Sequence, residues 1–535
     1  MLRAMPTDAA NREGQAIARR AGTVAAGTLA SRVLGMVRDA VFAAAFAVGA
    51  TDAFFMAWTI PNALRVLLGE GAISGAFVPV FTEAYERDGP ERARAFYARL
   101  VGTMGMVLLA VATAGVIAAP GVVWLYAAGY SEHPELFDNT VVLTRVVFPY
   151  IFLMGVSALA TGALYARKRF VAPAFAPMWL NVAFIAAAFG LAPFAPRFGV
   201  HPIIALGVGA LIGGVLQILV QLRPLHREGL LVRPRLPGGD PYVHKSLRLL
   251  LPLLAGLGVY QLNIVLARQL TSFLPKGSLS YLYYGQRLVE LPQGMFAVAI
   301  ASAALPSLSE SVARGDTAQS KHLFRYALRL TLFVAVPSTV ALALLAEPTV
   351  AVIFGRGAYR AHEIEETARS LVWQAAGIWA VASVRTVVPM FHAYNDTRTP
   401  VVASAVNLVT FGGLAAIFMG PMQHAGLALA VTGAAVTQLA TLIGLLRWKM
   451  GRLGLRELAT GVARMSLASA AMGAVIWLVA RYGAWERGAN ATNVAVFTIA
   501  VAAGGVTYPF LKGTVPENTG LREGQATIED LSGEL

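Results

Sequence analysis

The chain has 535 residues, of which 57% are hydrophobic and 13% charged, whereas about a quarter of the residues in a soluble globular domain are charged. This composition excludes a soluble fold and predicts an all-α polytopic membrane protein. The net charge of +14 does not indicate nucleic-acid binding, because much of the Lys and Arg lies in short connections between apolar runs, where it sets membrane topology. The absence of cysteine excludes disulfides and thiolate metal sites.

Fourteen segments are candidates for membrane spans, since a span needs about 20 mostly apolar residues. Residues 1–20 are polar and basic without an apolar core, so we expect no cleaved signal peptide. The predicted spans are 24–48, 52–81, 96–126, 139–165, 173–195, 203–222, 248–271, 281–308, 323–346, 367–392, 401–419, 426–446, 460–481 and 492–512.

The connections between these segments alternate in charge. Those around 87–94, 167–169, 223–245 and 447–456 are rich in Arg and Lys, whereas 127–139 contains neither. Because basic loops stay on the cytoplasmic side of a membrane, this alternation places both termini in the cytoplasm.

The chain resembles itself at an offset of about 225 residues, which indicates a duplication. Because each copy contains six spans, an even number, the two copies have the same orientation in the membrane. They are expected to form two six-helix lobes, with two further helices at the C-terminal end. The matching stretches are Ser74–Glu83 with Ala301–Glu310, Leu164–Asn181 with Phe391–Asn407, and His201–Gln217 with His424–Gln438. The predicted units are a cytoplasmic N-terminal segment (1–22), an N-lobe of spans 1–6 (23–224), a basic cytoplasmic loop (225–247), a C-lobe of spans 7–12 (248–448), spans 13–14 (459–512) and a cytoplasmic tail (513–535).

Charged residues lie inside apolar segments in two places. A charge near the middle of a spanning helix costs on the order of 3 kcal/mol, so such residues are expected to face a wet cavity or one another. In span 8, Arg287 and Glu290 are three residues apart and can pair on one helix face. The first two spans carry Arg32, Arg38, Asp39, Asp52, Arg65 and Glu70.

Two interpretations of these charges are open. The acids can pair with the arginines and merely hold helices together. Alternatively the arginines bind an anionic group, because guanidinium is always charged and its planar fork suits phosphate oxygens. The chain contains no phosphate-binding loop of the G-x-x-x-x-G-K-[ST] type, so we expect no ATP hydrolysis and no enzyme activity.

Several motifs resemble those of the MurJ (MviN) flippases, a family within the superfamily of multidrug, oligosaccharidyl-lipid and polysaccharide exporters. The resemblance extends over nearly the whole chain, although Gln286 stands where some relatives have an acid. The motifs are S-R-V-L-G-M-V-R-D (31–39), A-T-D-A-F-F (50–55), I-P-N-A-L-R (60–65), E-G-A-I-S-G-A-F-V-P (70–79), Y-Y-G-Q-R-L-V-E-L-P (283–292), L-P-S-L-S-E (305–310) and I-F-G-R-G-A-Y (353–359).

The resemblance implies a flippase of the bacterial inner membrane that moves lipid II, the undecaprenyl-pyrophosphate-linked peptidoglycan precursor, from the cytoplasmic to the periplasmic leaflet for cell wall synthesis. Its expected partners are this lipid, membrane lipids and cell wall synthesis proteins. No cofactor is expected, and a coupling ion or the membrane potential would drive transport. The alternative is a multidrug or polysaccharide-lipid exporter of the same superfamily. The residues expected to bind the substrate are Arg32, Arg38, Asp52, Arg65 and Arg287, and those expected to line or gate the cavity are Asp39, Glu70 and Glu290.

The expected mechanism is alternating access between the two lobes. We expect the largest cavity between spans 1, 2, 7 and 8, with a positive potential because only some of its acids lie close enough to the arginines to pair. The prenyl tail would stay in lipid or in an apolar groove, which the last two spans are expected to help form.

Overall fold

The computed structural model describes residues 7–67, 73–236, 238–293 and 298–513. Within these ranges all regular secondary structure is helical. The α-helices of the described chain are α1 (Thr7–Ala45), α2 (Val48–Leu67), α3 (Ile73–Ile117), α4 (Ala119–Ala127), α5 (Pro134–Val147), α6 (Tyr150–Ala166), α7 (Val171–Gly190), α8 (Ile204–Arg227), α9 (Pro241–Ser272), α10 (Ser278–Pro292), α11 (Val298–Ala313), α12 (Thr317–Leu344), α13 (Ala346–Phe354), α14 (Ala361–Ala376), α15 (Ile378–Ala393), α16 (Arg398–Met450), α17 (Leu455–Ala480) and α18 (Ala491–Gly513).

The long apolar helices confirm the all-α polytopic fold class. In the described part of the chain, eight helices are long and apolar enough to cross a membrane, and α14 with α15, bent by 40° at their junction, forms a ninth candidate. Among the described residues, α1, α2, α9 and α10 give no such candidate; α1, α2 and α10 carry the charges singled out in the sequence except Glu70, which lies outside the described residues. Wherever the chain is described, the fourteen predicted spans lie mainly on helical residues, so that number is consistent with the structure.

Two predicted connections are helical. Helix α3 runs through the connection expected between spans 2 and 3, with a kink at Gly89 (φ 84°) before Pro90. Helix α16 joins the eleventh and twelfth predicted spans in the same way, with its break at Gln423 (φ 53°). Each break is close to a proline, which removes a backbone donor from the helix.

The helices pack in two groups. In the first, α1 packs on α7, α7 on α8, and α3 and α8 on α6; in the second, α12 packs on α15 and α17, α15 on α16, and α17 on α18. Helix α9 contacts α3 and α4 of the first group and α10 and α16 of the second. The lobe boundaries at 23–224 and 248–448 stay predictions, and α9 is in contact with both groups.

Contacts between connections define the two ends of the bundle. At one end, which we call the basic end, residues 83–99 of α3 contact residues 235–245, and Arg167 and Arg169 pair with Glu228. At the other, which we call the arginine-poor end, residues 44–52 contact 277–280 and 358, and 128–129 contact 269–272. The basic connections 87–94, 167–169 and 223–245 therefore lie near the start of α9, and the connections 127–139 and 272–280 lie near its other end.

An aromatic cluster holds α1, α2 and α7 together next to the charged residues. Phe42 of α1, Phe54 of α2 and Phe184 of α7 meet edge to face, with ring centroids 5.5 to 5.7 Å apart. Edge-to-face contacts of this kind stabilise by about 0.5 to 1.5 kcal/mol beyond the area they bury. This cluster fixes the face of α1 that carries Arg38.

Candidate substrate site

Arg38 and Asp39 form a buried ion pair in α1. The guanidinium donates from Nε and Nη2 to Asp39 Oδ1, at 2.9 and 2.6 Å, and from Nη1 to Asn181 Oδ1 of α7 at 3.0 Å. It also lies over the rings of Phe42 and Phe184, 5.6 Å from each centroid. Arg38 is 7% exposed and Asp39 1%, so Arg38 has its partners within the protein.

Arg287 comes from the other group of helices and reaches the same carboxylate. Its Nη1 donates to Glu290 Oε2 at 3.0 Å, in the i, i+3 pair that the spacing predicts, and its Nε lies 3.2 Å from Asp39 Oδ2. Its side chain is 35% exposed and that of Glu290 47%. The guanidinium groups of α1 and α10 thus meet around one carboxylate.

This pairing differs from the expected open, positive cleft. In this conformation Arg38 and Arg287 have acidic partners, because Asp39 follows Arg38 directly in the helix and points toward α10. Arg32 is exposed and forms no ion pair with the described residues. In this conformation the positive charges of Arg38 and Arg287 are therefore mostly compensated by Asp39 and Glu290.

Asp52 connects α2 to the start of α10. Its carboxylate accepts hydrogen bonds from the backbone N–H groups of Gly277 (2.6 Å) and Ser280 (2.8 Å) and from the Ser280 hydroxyl (2.7 Å). Asp52 is 2% exposed, and it acts as a cap for a helix of the other group. Its role in substrate binding stays a prediction, since here both carboxylate oxygens are engaged with α10.

Two predicted site residues cannot be placed. Arg65 lies in α2, but its side chain is outside the described residues, and Glu70 lies outside them altogether.

Sequence reasoning missed Tyr283. Its hydroxyl accepts from Arg38 Nη2 at 3.1 Å and from Arg287 Nε and Nη2 at 3.2 and 2.9 Å. The i, i+4 spacing of Tyr283 and Arg287 in α10 was a signal for their contact, whereas the contact with Arg38 joins residues 245 positions apart.

An apolar cavity adjoins α10. It has a volume of about 310 Å³ and lies between α10, α12, α13 and α18. Its lining includes Leu288, which follows Arg287 in the chain, together with Leu342, Phe497 and Val501. One of the two helices that lie outside the predicted repeat, α18, therefore forms a wall of an apolar cavity against α10.

The fold defines the class of protein. A transporter titled "Inward-facing conformation of a multidrug resistance MATE family transporter of the MOP superfamily" superposes with a TM-score of 0.63 over 79% of this chain and 95% of its own at 13% identity, which shows a shared fold. The chain is thus a polytopic membrane protein that shares the fold of that transporter.

Closer matches give the family. A family model described as "Lipid II flippase MurJ" matches residues 42–495. The "Probable lipid II flippase MurJ" of Vibrio cholerae is 34% identical over 86% of this chain and 89% of its own. The structure titled "Lipid II flippase MurJ, inward closed conformation" superposes with a TM-score of 0.74 at 25% identity, over 91% of this chain and 97% of its own. This chain belongs to the lipid II flippase MurJ family, which favours the flippase over the exporter alternative.

Proposed function

We propose that this protein translocates lipid II from the cytoplasmic to the periplasmic leaflet of the bacterial inner membrane. The observation that carries the proposal is that, in a chain of this family, guanidinium groups from α1 and α10 meet at one buried carboxylate. A diphosphate cannot enter hydrocarbon uncompensated. Two guanidinium forks offer it charge-assisted hydrogen bonds from both halves of the bundle.

The basic end is proposed to face the cytoplasm, with both termini on that side, by the positive-inside rule. The opposite end is closed by contacts between the two groups of helices, including Asp52 with Gly277 and Ala44 with Ala358. Substrate then enters from the cytoplasmic side, and exit requires these contacts to open. A coupling ion or the membrane potential is proposed to drive the cycle, and membrane lipids and cell wall synthesis proteins are its proposed partners.

The apolar cavity is the proposed site for part of the prenyl tail. Its wall from α10 also carries Arg287, so a lipid with its tail against Leu288 and Phe497 would have its phosphates close to the charged cluster. Each buried CH₂ of the tail contributes about 0.8 kcal/mol.

The proposal is tested by reconstituting the purified protein in vesicles with fluorescent lipid II and measuring how fast the lipid becomes accessible in the opposite leaflet. Arg287→Ala is expected to abolish movement, and Arg287→Lys to retain part of it, because an ammonium restores charge without bidentate geometry. Arg314→Ala is the matched control, since Arg314 is an exposed arginine that pairs with Glu310 four residues away.

The outcomes separate the parts of the proposal. Full activity of both Arg287 variants would show that this residue is not a substrate ligand. If the wild-type protein moves no lipid II, and inner-leaflet lipid II does not accumulate when cells are depleted of it, the proposed function is wrong.

A further inference from the structure

The C-terminal end of α1 is covered by the connection between α13 and α14, two helices that pack on α12 of the other group. The carbonyl of Ala44 is among the last four of α1, and such carbonyls have no partner within their own helix. It accepts a hydrogen bond from the backbone N–H of Ala358 at 2.9 Å. The end of α1 is therefore capped from across the boundary between the two groups of helices.

This contact depends on Gly357. Its φ of 62° lies in the left-handed region, which residues with a side chain rarely adopt. A Cβ atom at this position would overlap with the carbonyl oxygen of Ala44 and lie 3.0 Å from the carbonyl carbon and 3.1 Å from the Cα atom of the same residue. All three are backbone atoms of α1, so no rotation of a side chain can make room. Glycine at 357 is what allows the two groups to approach this closely.

The connection is attached to its own group of helices on both sides of Gly357. Before it, the carbonyl of Gly355 accepts from the backbone N–H of Ala489, in the connection between α17 and α18, at 2.8 Å. After it, Tyr359 is buried, and its hydroxyl forms a hydrogen bond with Thr367 of α14. A side chain at 357 would therefore push α1 away rather than displace the connection.

The capped end of α1 lies between the charged cluster and the arginine-poor end. Ala44 follows Arg38 by six residues, which is about 9 Å along a helix. Asp52, which caps the first turn of α10, is a second contact between the two groups at this end. Each of the two helices that carry the clustered arginines is thus capped by a residue of the opposite group.

We propose that Gly357 is a positioning residue for transport: it allows the arginine-poor end to close, and a side chain at this position holds that end open. The inference rests on the proposed function, because it makes the contact between Ala44 and Ala358 part of the closed exit. A protein that closes its exit poorly returns slowly to the state that accepts the next lipid from the cytoplasmic side. Transport then slows although the charged cluster is intact.

The test measures the separation of the two groups by double electron–electron resonance on the purified full-length protein in nanodiscs. The chain has no cysteine, so spin labels can be attached at His133→Cys, beside α5, and at Tyr482→Cys, beyond the end of α17. Both positions are exposed and belong to the arginine-poor end. Gly357→Ala is expected to raise the ratio of long to short distances about fivefold or more, because it combines a strained backbone with a clash against α1.

Gly315→Ala is the matched control. Gly315, between α11 and α12, also has a left-handed backbone, with φ 72°, but a Cβ atom there meets nothing within 4 Å. The variant therefore has the backbone strain without the clash, and its distances are expected to equal those of the unmodified protein. Gly357→Asn carries the test if Gly357→Ala does not fold, since asparagine tolerates the left-handed region better and still adds the Cβ atom.

Unchanged distances in a folded Gly357 variant, or an equal shift in Gly315→Ala, would overturn the inference. Transport of lipid II in vesicles gives the second measurement: Gly357→Ala is expected to slow it several-fold, and full transport despite shifted distances would refute the role of Gly357 in the cycle. A wild-type protein that moves no lipid II would contradict the proposed function, whereas the distances test closure of this end without any lipid substrate.

Discussion

Asp39 carries the one carboxylate that both Arg38 and Arg287 approach, and it is almost fully buried. Removing a partner from a buried ion pair is costly because the remaining charge has no water to solvate it. Asp39 therefore offsets part of the positive charge of both arginines in this conformation. Under the proposed function, the head group of the substrate would compete with Asp39 for these guanidinium groups.

This competition predicts the effect of Asp39→Asn, which keeps the shape of the side chain and removes its charge. Binding of a polyprenyl diphosphate is expected to tighten several-fold, because one competing anion is gone. Transport is expected to fall, since the lipid is released more slowly and the empty site lacks its counterion. Equilibrium binding in nanodiscs and transport in vesicles measure the two effects.

Glu290→Gln is the control for Asp39→Asn. Glu290 also pairs with Arg287, but it is 47% exposed, and exposed pairs contribute little. Its effect on binding is expected to be smaller. Weaker binding by a folded Asp39→Asn protein would contradict the idea that Asp39 competes with the substrate.

At the scale of elements, the connection between α8 and α9 is clamped to α3. Asp240 caps α9 through the backbone N–H of Tyr242 and accepts from Arg92 Nη1 and Nη2 at 2.7 and 3.1 Å. Arg99 Nη1 lies 3.2 Å from the same carboxylate. Further along α9, Lys245 pairs with Glu83. The first turns of α9 are thereby attached to α3.

The clamp predicts that Asp240→Ala frees residues 228–240. Arg92 and Arg99 lose their buried acceptor, which is expected to lower the free energy that holds this connection against α3 by about 1 to 3 kcal/mol. Trypsin should therefore cleave after the exposed Arg235 at least fivefold faster. Asp240→Asn can still cap α9 and should give a smaller increase. The rate of appearance of the two fragments from the detergent-solubilised protein measures the effect.

Asp316→Ala is the matched control for Asp240→Ala. Asp316 caps α12 by accepting from the backbone N–H of Gln319, and it has no arginine partner in the described chain. Its loss therefore reports the cost of a missing cap alone. Equal cleavage of wild type and Asp240→Ala would show that the ion pairs do not hold the connection.

The clamp has a defined dependence on pH. Burial of Asp240 opposes its ionisation, but hydrogen bonds from Arg92 and the backbone of Tyr242 outweigh burial and lower its pKa below the ordinary value. A carboxyl whose pKa is lowered on folding stabilises at pH above about 4 and loses that contribution as pH falls through the lower value. Asp240 therefore stays ionised between pH 6 and 8, and its ionisation is not expected to change the rate of tryptic cleavage after Arg235 in this range.

The sequence allowed the elements to be predicted better than their contacts. The spans could be located because apolar length is a local property, and the Arg287–Glu290 pair because three residues make nearly one helical turn. The clamp on Asp240 and the contact of Arg38 with Tyr283 join residues more than 140 positions apart. Such contacts depend on how helices pack, which periodicity in a single sequence does not determine.

At the scale of the whole molecule, the sign of the charge at the site predicts which compounds are transported. If Arg38 and Arg287 bind the head group as proposed, they would attract a diphosphate and repel cationic drugs, even where Asp39 and Glu290 offset part of the potential. Cells that overproduce the protein are expected to export ethidium-like dyes no faster than cells without it. In vesicles that contain the protein, a polyprenyl diphosphate is expected to inhibit the transport of lipid II.

Export of such a cation, abolished by Asp52→Asn, would contradict this expectation and support the exporter alternative. A neutral lipid with a tail of equal length is the control for the contribution of the tail. It is expected to bind more weakly than the diphosphate, since charge-assisted hydrogen bonds to arginine contribute roughly 1.5 to 3 kcal/mol each.

Helix α10 obtains its cap from Asp52, a residue of the opposite group of helices. When the arginine-poor end opens, the N–H groups of Gly277 and Ser280 lose this acceptor and must be solvated by water. A cap typically contributes about 1 kcal/mol, and at room temperature each kilocalorie changes an equilibrium population about fivefold. Loss of the Asp52 cap is therefore expected to shift the balance toward an open arginine-poor end by about that factor, while other contacts, such as Ala44 with Ala358, still hold this end closed.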